Sequence, residues 1–327
     1  MKRREFIAIF GGAIAAPLTA VAQQAERVPR IAVLMNVDNS DMRANYKELL
    51  ESLQKLGWID GRNVRIEARW AARGESAEIR KHAADIIALA PDVIVSTGTA
   101  GLIPLLQATR TVPVVFTNIT DPVGSGFVKT MARPGGNATG FVQLEYSLGA
   151  KWPELLRQVA PATKRIAVLR DPALTSGVGL FAVIAAVAPS MGMEVSVINE
   201  SDAGEIERDV TEFAQTPNGA LIVAPSALAV AHRDLVLGLA AKYGLPSMYY
   251  RRHFVDKGGL ISYGPDIRQQ FSGLAEYVDR VLKGARPAEL PVQAPTKYEL
   301  VINLKTAKSL RLNIPQGLLS AADEVIE

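Results

Sequence analysis

Arg30-Ile31-Ala32-Val33-Leu34 returns letter for letter, about one domain length later, as Arg165-Ile166-Ala167-Val168-Leu169. Each copy is a short apolar run that ends in a polar turn, Asn36-Val37-Asp38 after the first and Arg170-Asp171-Pro172 after the second. Runs of this kind read as parallel strands buried on both faces. A coincidence of five letters is countered by the shared order of elements behind each copy. After the first, helical periodicity over 45–56 leads to an alternating strand over 63–70. A helix over 77–89 precedes a strand over 92–96, and a helix over 103–109 precedes a strand over 112–118. After the second copy the pattern repeats, with helices over 179–191, 205–215 and 231–243. Strands are expected over 194–198, 220–224, 246–250 and 259–263. Strands alternating with helices in both halves predict parallel sheets with right-handed crossovers. The expected fold class is α/β, with two Rossmann-like doubly wound lobes.

Three stretches are expected to join the lobes: 137–145, the segment around Ser262-Tyr263-Gly264-Pro265, and 285–295, which is rich in proline and reads as an extended linker. A helix over 267–283 lies between the last two. The expected division is therefore 30–145 plus about 265–295 for lobe 1 and 146–264 for lobe 2. The C-terminal segment 296–327 is expected to pack across both lobes. Several crossings form a hinge with few degrees of freedom, suited to closing about a cleft.

The composition narrows the functional class. A chain of 327 residues, 48% hydrophobic and 21% charged, is neither disordered nor collagen-like, and its length predicts two full-sized cores. Lys and Arg number 36 against 33 acidic residues, scattered without a basic stripe, which argues against nucleic acid as a partner. The absence of Cys excludes thiol catalysis and thiolate zinc sites. With only His82, His232 and His253, a His-rich metal centre is not expected, nor is any cofactor.

The N-terminus predicts export. Lys2-Arg3-Arg4 precedes an apolar stretch from Ala8 to Ala16, and Ala20-Val21-Ala22 fits the small-residue cleavage rule, so residues 1–22 read as a signal peptide cut near Ala22. Arg3-Arg4-Glu5-Phe6-Ile7 resembles the twin-arginine export motif. The competing readings are an amphipathic first helix and a membrane anchor; for the anchor the stretch is too short and glycine-rich to span a bilayer. No later segment offers ~20 unbroken apolar residues. The expected location is the periplasm.

In open α/β sheets, ligands bind outside the carboxyl ends of the strands. That rule selects Asn36 and Asp38 after the first strand. After the third it selects Ser96, Thr97, Gly98, Thr99 and Ala100, whose hydroxyls and helix-start amides suit a carboxylate; ordinary N-capping is the alternative for these hydroxyls. Asn118 and Asp121 follow the fourth strand, and Asp121-Pro122 could equally be a turn starter. In the second lobe the rule selects Asp171, Ser176, Ser226, Tyr250 and, near a crossing, Tyr263. Adjacent strand residues face opposite sides, so only one of Tyr249 and Tyr250 is expected to reach the cleft. Arg251 and Arg252 could pair with an acidic ligand, although exposed loop arginines are the commoner case.

Four segments carry a resemblance: Ala90-Pro91-Asp92-Val93-Ile94-Val95-Ser96-Thr97-Gly98-Thr99-Ala100; Val112-Pro113-Val114-Val115-Phe116 leading to Thr120-Asp121-Pro122-Val123; Pro134-Gly135-Gly136-Asn137-Ala138-Thr139-Gly140; and Leu282-Lys283-Gly284-Ala285 with Pro287. The ending Val301-Ile302-Asn303-Leu304-Lys305-Thr306-Ala307 is similar as well. Together, behind an export signal, they resemble the substrate-binding components of ABC transporters with the type I periplasmic binding protein-like fold, related to aromatic amino-acid binding components. The resemblance implies a receptor that closes on a small solute and delivers it to ABC permease membrane subunits; a monomer is expected, and an aromatic or other carboxylate as the solute. The sequence departs from that pattern at Ala224-Pro225-Ser226-Ala227, where a polar turn with an Asp for an amino group is expected.

Two other classes compete. An enzyme would need a nucleophile, a base and an orienting group together. Gly124-Ser125-Gly126 lacks the spacing of a nucleophile elbow, and no phosphate-binding glycine motif is present. A two-lobed sensor module partnering a membrane receptor would share the fold. A repressor of this fold would carry a DNA-binding helix pair where this chain carries an export signal.

Overall fold

The computed structural model describes residues 27–72, 75–199 and 202–327; the expected export signal lies outside them. The first sheet takes β1 (Arg30–Met35), β2 (Arg65–Trp70), β3 (Val93–Thr97), β4 (Val114–Ile119) and β5 (Ala138–Val142), in the order β2-β1-β3-β4-β5, all parallel. Between them run α1 (Ser40–Lys55), α2 (Ser76–Ala88) and α3 (Gly98–Ala108).

The second lobe opens with α4 (Leu148–Val159) and β6 (Arg165–Arg170), then α5 (Thr175–Val187), β7 (Glu194–Asn199), α6 (Ala203–Ala214) and β8 (Gly219–Val223). It continues through α7 (Ala227–Ala231), α8 (Arg233–Lys242), β9 (Ser247–Tyr249), α9 (Arg252–Val255) and β10 (Ile261–Pro265). The helix α10 (Ile267–Leu282) returns to the first lobe, packing against α1 and over β3, β4 and β5. The chain ends in β11 (Tyr298–Asn303), α11 (Leu304–Ser309), α12 (Gln316–Ala321) and β12 (Glu324–Ile326).

The second sheet runs β12-β11-β10-β9-β8-β6-β7. Its portion β10-β9-β8-β6-β7 repeats the order of the first sheet, and the two Arg-Ile-Ala-Val-Leu copies occupy the equivalent strands β1 and β6. Both strands pair on each side with a parallel neighbour, which is why both read as unbroken apolar runs. Apolar layers cover both faces of the first sheet. Phe271, Leu274 and Val278 of α10 lie on one, and Ile79, Leu102 and Leu105 lie on the other.

Among the described residues the chain passes between the sheets three times, at 143–147, at Asp266 and at 294–297. Three expectations need correction. The stretch 137–145 is not all connection, because Ala138–Val142 first completes β5; the glycine-rich approach and the lack of alternation hid it. The stretch 285–295 is not a free linker: Val292 N–H donates to the Met131 carbonyl and Gln293 N–H to the Gly140 carbonyl, so it lies along the edge of β5. Among the described residues the C-terminal segment is built onto the second lobe's sheet and core, where packing across both lobes was expected. β11 pairs antiparallel with β10, β12 parallel with β11, and Ile314 and Leu318 join the second lobe's core. The exposed edge of β10 supplied the unpaired backbone groups that drew it there.

Candidate functional site

A cavity of about 430 Å³ lies between the lobes. Its walls come from the carboxyl ends of β1, β3 and β4 on one side and β6, β8 and β9 on the other. These are the ends beside each sheet's switch in strand order.

On the first-lobe wall, Thr97 ends β3 and commits its hydroxyl sideways. Its Oγ1 accepts the Asn36 backbone N–H at 3.0 Å and reaches Asn36 Oδ1 at 3.0 Å. The side chain therefore does not cap α3, and the helix starts at Gly98 without a side-chain cap. Gly98, at φ +72°, lies so close to Asn36 that a Cβ would collide with its side chain. Gly98, Thr99 and Ala100 consequently line the cavity with the open first turn of a helix, whose amide groups carry partial positive charge.

Asn118 reaches the cavity through an irregularity. The register of β4 against β5 shifts between Phe116 and Ile119, and Asn118 adopts φ +61°. A bulge re-aims a side chain in this way, and asparagine tolerates the left-handed region better than most residues. Gly140 permits the close approach, because a Cβ there would run into the Phe116 carbonyl oxygen.

On the second-lobe wall, Asp171 accepts the Ala173 N–H at 2.9 Å, and burial raises its carboxyl pKa against that hydrogen bond. α5 follows without a side-chain cap and presents Ser176 to the cavity. Ser226, by contrast, caps α7, its Oγ accepting the Ala229 N–H at 2.7 Å. Tyr250 lines the cavity, whereas Tyr249 is buried and stacks on Phe254 with centroids 4.9 Å apart. Beyond Tyr250 the chain turns inward, allowed by Gly264, where a Cβ would strike the Tyr250 carbonyl oxygen.

That turn carries Arg251 and His253 into the cleft. The Arg251 guanidinium lies 5.2 Å from the Tyr250 ring centroid and donates from Nη2 to Asn118 Oδ1 at 3.1 Å, across the lobes. Among the described residues its Nε is buried without a partner and no carboxylate lies within ion-pair distance. Burial lowers its pKa, with Tyr250 and Asp41 opposing. Burial, then the charges of Arg251 and Arg233, hold the His253 pKa well below 6.5, so the imidazole is neutral.

Further contacts join the lobes in this conformation. Arg233 pairs with Asp41 at 3.2 Å, and Ser125 Oγ meets Thr175 Oγ1 at 3.0 Å. The Tyr146 hydroxyl lies 3.2 Å from Asp121 Oδ2 and 3.3 Å from the Thr175 carbonyl.

Of the residues selected from sequence, the cavity brings together Asn36, Gly98, Thr99, Ala100, Asn118, Asp171, Ser176, Ser226 and Tyr250. Five lie elsewhere. Asp38 is turned outward and held by Arg43 at 2.6 and 2.7 Å. Ser96 and Thr97 are fully buried beneath the α3 turn. Asp121 starts a turn, accepting the Gly124 N–H at 2.7 Å. Tyr263 sits by a crossing, tilted against Tyr298, while its carbonyl accepts the Trp152 indole N–H at 2.9 Å. The reading of Arg251 as an exposed loop residue is also corrected, since it occupies the cleft. Thr120, Gln143 and His253 line the cavity too and were not selected. His253 carried a usable signal, being the histidine nearest a strand end.

The profile of a family described as ABC transporter substrate binding protein matches residues 30–326. A Clostridioides difficile tyrosine-binding protein is 24% identical over 280 residues, covering 86% of this chain and 80% of the relative. The ABC domain from Streptococcus pneumonia in complex with L-Trp is 26% identical with a TM-score of 0.85, covering 91% of this chain and 99% of that one. A conserved domain protein from Vibrio cholerae is 27% identical, also at TM-score 0.85, covering 91% and 100%. The fold is that of type I periplasmic binding proteins. The chain belongs to the ABC transporter substrate-binding protein family.

Proposed function

From that membership we propose that this protein is the exported solute-binding component of an ABC importer. It works in the periplasm as a monomer, captures a small organic solute between its lobes and delivers it to the permease subunits. The observation that carries this reading is the cavity walled by both lobes and spanned by the Arg251–Asn118 hydrogen bond. A solute held there touches both lobes, and such a ligand stabilises the closed arrangement over the open one. The closed form then presents both lobes together to the permease. Asn36, Gly98, Thr99, Ala100 and Asn118 contribute the first-lobe contacts; Asp171, Ser176, Ser226 and Tyr250 contribute the second-lobe ones.

The test is thermal unfolding of the purified protein against amino acids, organic acids, sugars and nucleosides. A solute at 100 times its dissociation constant adds about 2.7 kcal/mol, a rise of several degrees for a chain of this size. Thr99→Trp fills the cavity from the α3 turn and removes the rise while the protein still unfolds cooperatively. An undiminished rise in that variant puts the solute elsewhere, and no rise with any class, with nothing released on denaturation, refutes capture.

A further inference from the structure

We infer that the solute is an organic anion, a carboxylate whose charge is not offset by an ammonium group of its own, and that Arg251 is its counter-charge. The inference rests on the solute-capture reading and names the chemistry that the cavity selects.

The charge balance of the cavity carries it. Its charged lining residues are Asp41, Arg80, Asp171 and Arg251. Asp41 is already matched by Arg233 at 3.2 Å, and His253 is neutral. Arg80 stands exposed at the rim, in water that screens it. Within the cavity this leaves Asp171 against Arg251 and two helix starts. Both α3 and α5 open on the cavity without a side-chain cap, whereas α1 and α7, on the same walls, are capped by Asn39 and Ser226. Each uncapped start adds a partial positive charge of roughly half a unit. Asp171, one turn before α5, balances that start and is further engaged by the Ala173 amide that it accepts. The α3 start and the Arg251 guanidinium remain unmatched.

A guanidinium partly withdrawn from water without a carboxylate carries a cost that a partner arriving with the ligand removes. Among the described residues, Arg251 donates to the neutral Asn118 amide, and its Nε–H has no partner. A planar carboxylate matches the guanidinium fork and completes both deficits at once. A zwitterion satisfies them too, but brings an ammonium into a cavity whose net field is positive. The turn after β8 supplies no acid for it, reading Ala224-Pro225-Ser226-Ala227. Val37, Met42, Leu174 and Leu228 line the rest of the cavity and suit an apolar body.

Matched pairs separate these cases. Full-length protein is titrated with 3-phenylpropionate, its uncharged amide and L-phenylalanine, then with 4-methylpentanoate, its amide and L-leucine, with the melting midpoint as readout. The carboxylates raise the midpoint at concentrations at least tenfold below the amides and the zwitterions. Arg251→Met abolishes the carboxylate response, and Arg251→Lys, which keeps the charge but not the fork, retains the preference in weakened form. Zwitterions that bind as tightly as the carboxylates, or an Arg251→Met variant that responds like wild type, overturn the inference and leave capture standing. No response to any probe, with nothing released from the denatured protein, overturns both.

Discussion

Removing the Tyr146 hydroxyl tests whether closure is held from the hinge as well as from the cleft. Tyr146 lies in the first crossing, between the loop after β4 and the start of α5. Its hydroxyl has one proton to donate, shared between Asp121 Oδ2 at 3.2 Å in one lobe and the Thr175 carbonyl at 3.3 Å in the other. Gly179 makes room for the ring, since a Cβ there would strike it. A hydrogen bond to a charged acceptor contributes about 1.5–3 kcal/mol. These distances are long and the group is partly exposed, so Tyr146→Phe should cost about 1 kcal/mol. That loss applies to the closed form alone and shifts the closed-to-open ratio about fivefold, weakening solute affinity by a similar factor. Because the sequence has no Cys, spin labels can be placed singly on exposed Lys47 and Arg208, one on each lobe. The variant should populate the longer inter-label distance while its unfolding midpoint barely moves. Burial first, then Asp121, raises the Tyr146 pKa to about 12. The unfolded hydroxyl ionises near 10, so the stabilisation is complete below pH 10 and is lost as pH rises towards 12. Tyr146→Phe should lack that alkaline loss. Identical distance distributions and identical affinities in the variant would refute the reasoning.

Three further outcomes are expected. Gly140→Ala forces a Cβ onto the Phe116 carbonyl at a backbone angle suited to glycine and should destabilise the first lobe by about 2–4 kcal/mol, measured by denaturant unfolding. Trp152→Phe removes the donor of a fully buried indole from the part-buried Tyr263 carbonyl and should cost about 1–2 kcal/mol, read in the same assay. His253 is neutral when folded and takes up a proton when unfolded below pH 6.5, so its contribution is complete above that pH and is lost on acidification, with a slope of up to about 1.4 kcal/mol per pH unit. His253→Phe should flatten the stability profile below pH 6.5 relative to wild type, and an unchanged profile would assign the acid sensitivity to other groups.

Hydrophobic pattern alone carried the architecture. A buried parallel strand announces itself as an apolar run, and two identical runs followed by the same order of elements required two similar lobes. The strand-end rule then reached Asn36, Gly98, Thr99, Ala100 and Ser226 without coordinates, because the carboxyl ends beside the switch point are set by strand order. Which way a side chain points beyond a strand end is not a property of the local pattern. Asp38 lies two residues past Asn36 yet turns outward to Arg43. Asn118 turns inward only because β4 and β5 slip in register over Gly140. Arg251 reads locally as a loop arginine, and enters the cleft because Gly264, thirteen residues on, lets β10 close against the Tyr250 carbonyl. The C-terminal strands likewise had no local sign of their partner, which is the open edge of β10. Pattern reports what a segment buries, while the direction of a polar side chain depends on backbone angles and neighbours distant in sequence. The cleft was therefore legible in the sequence, and its charge was decided by the packing of the two lobes.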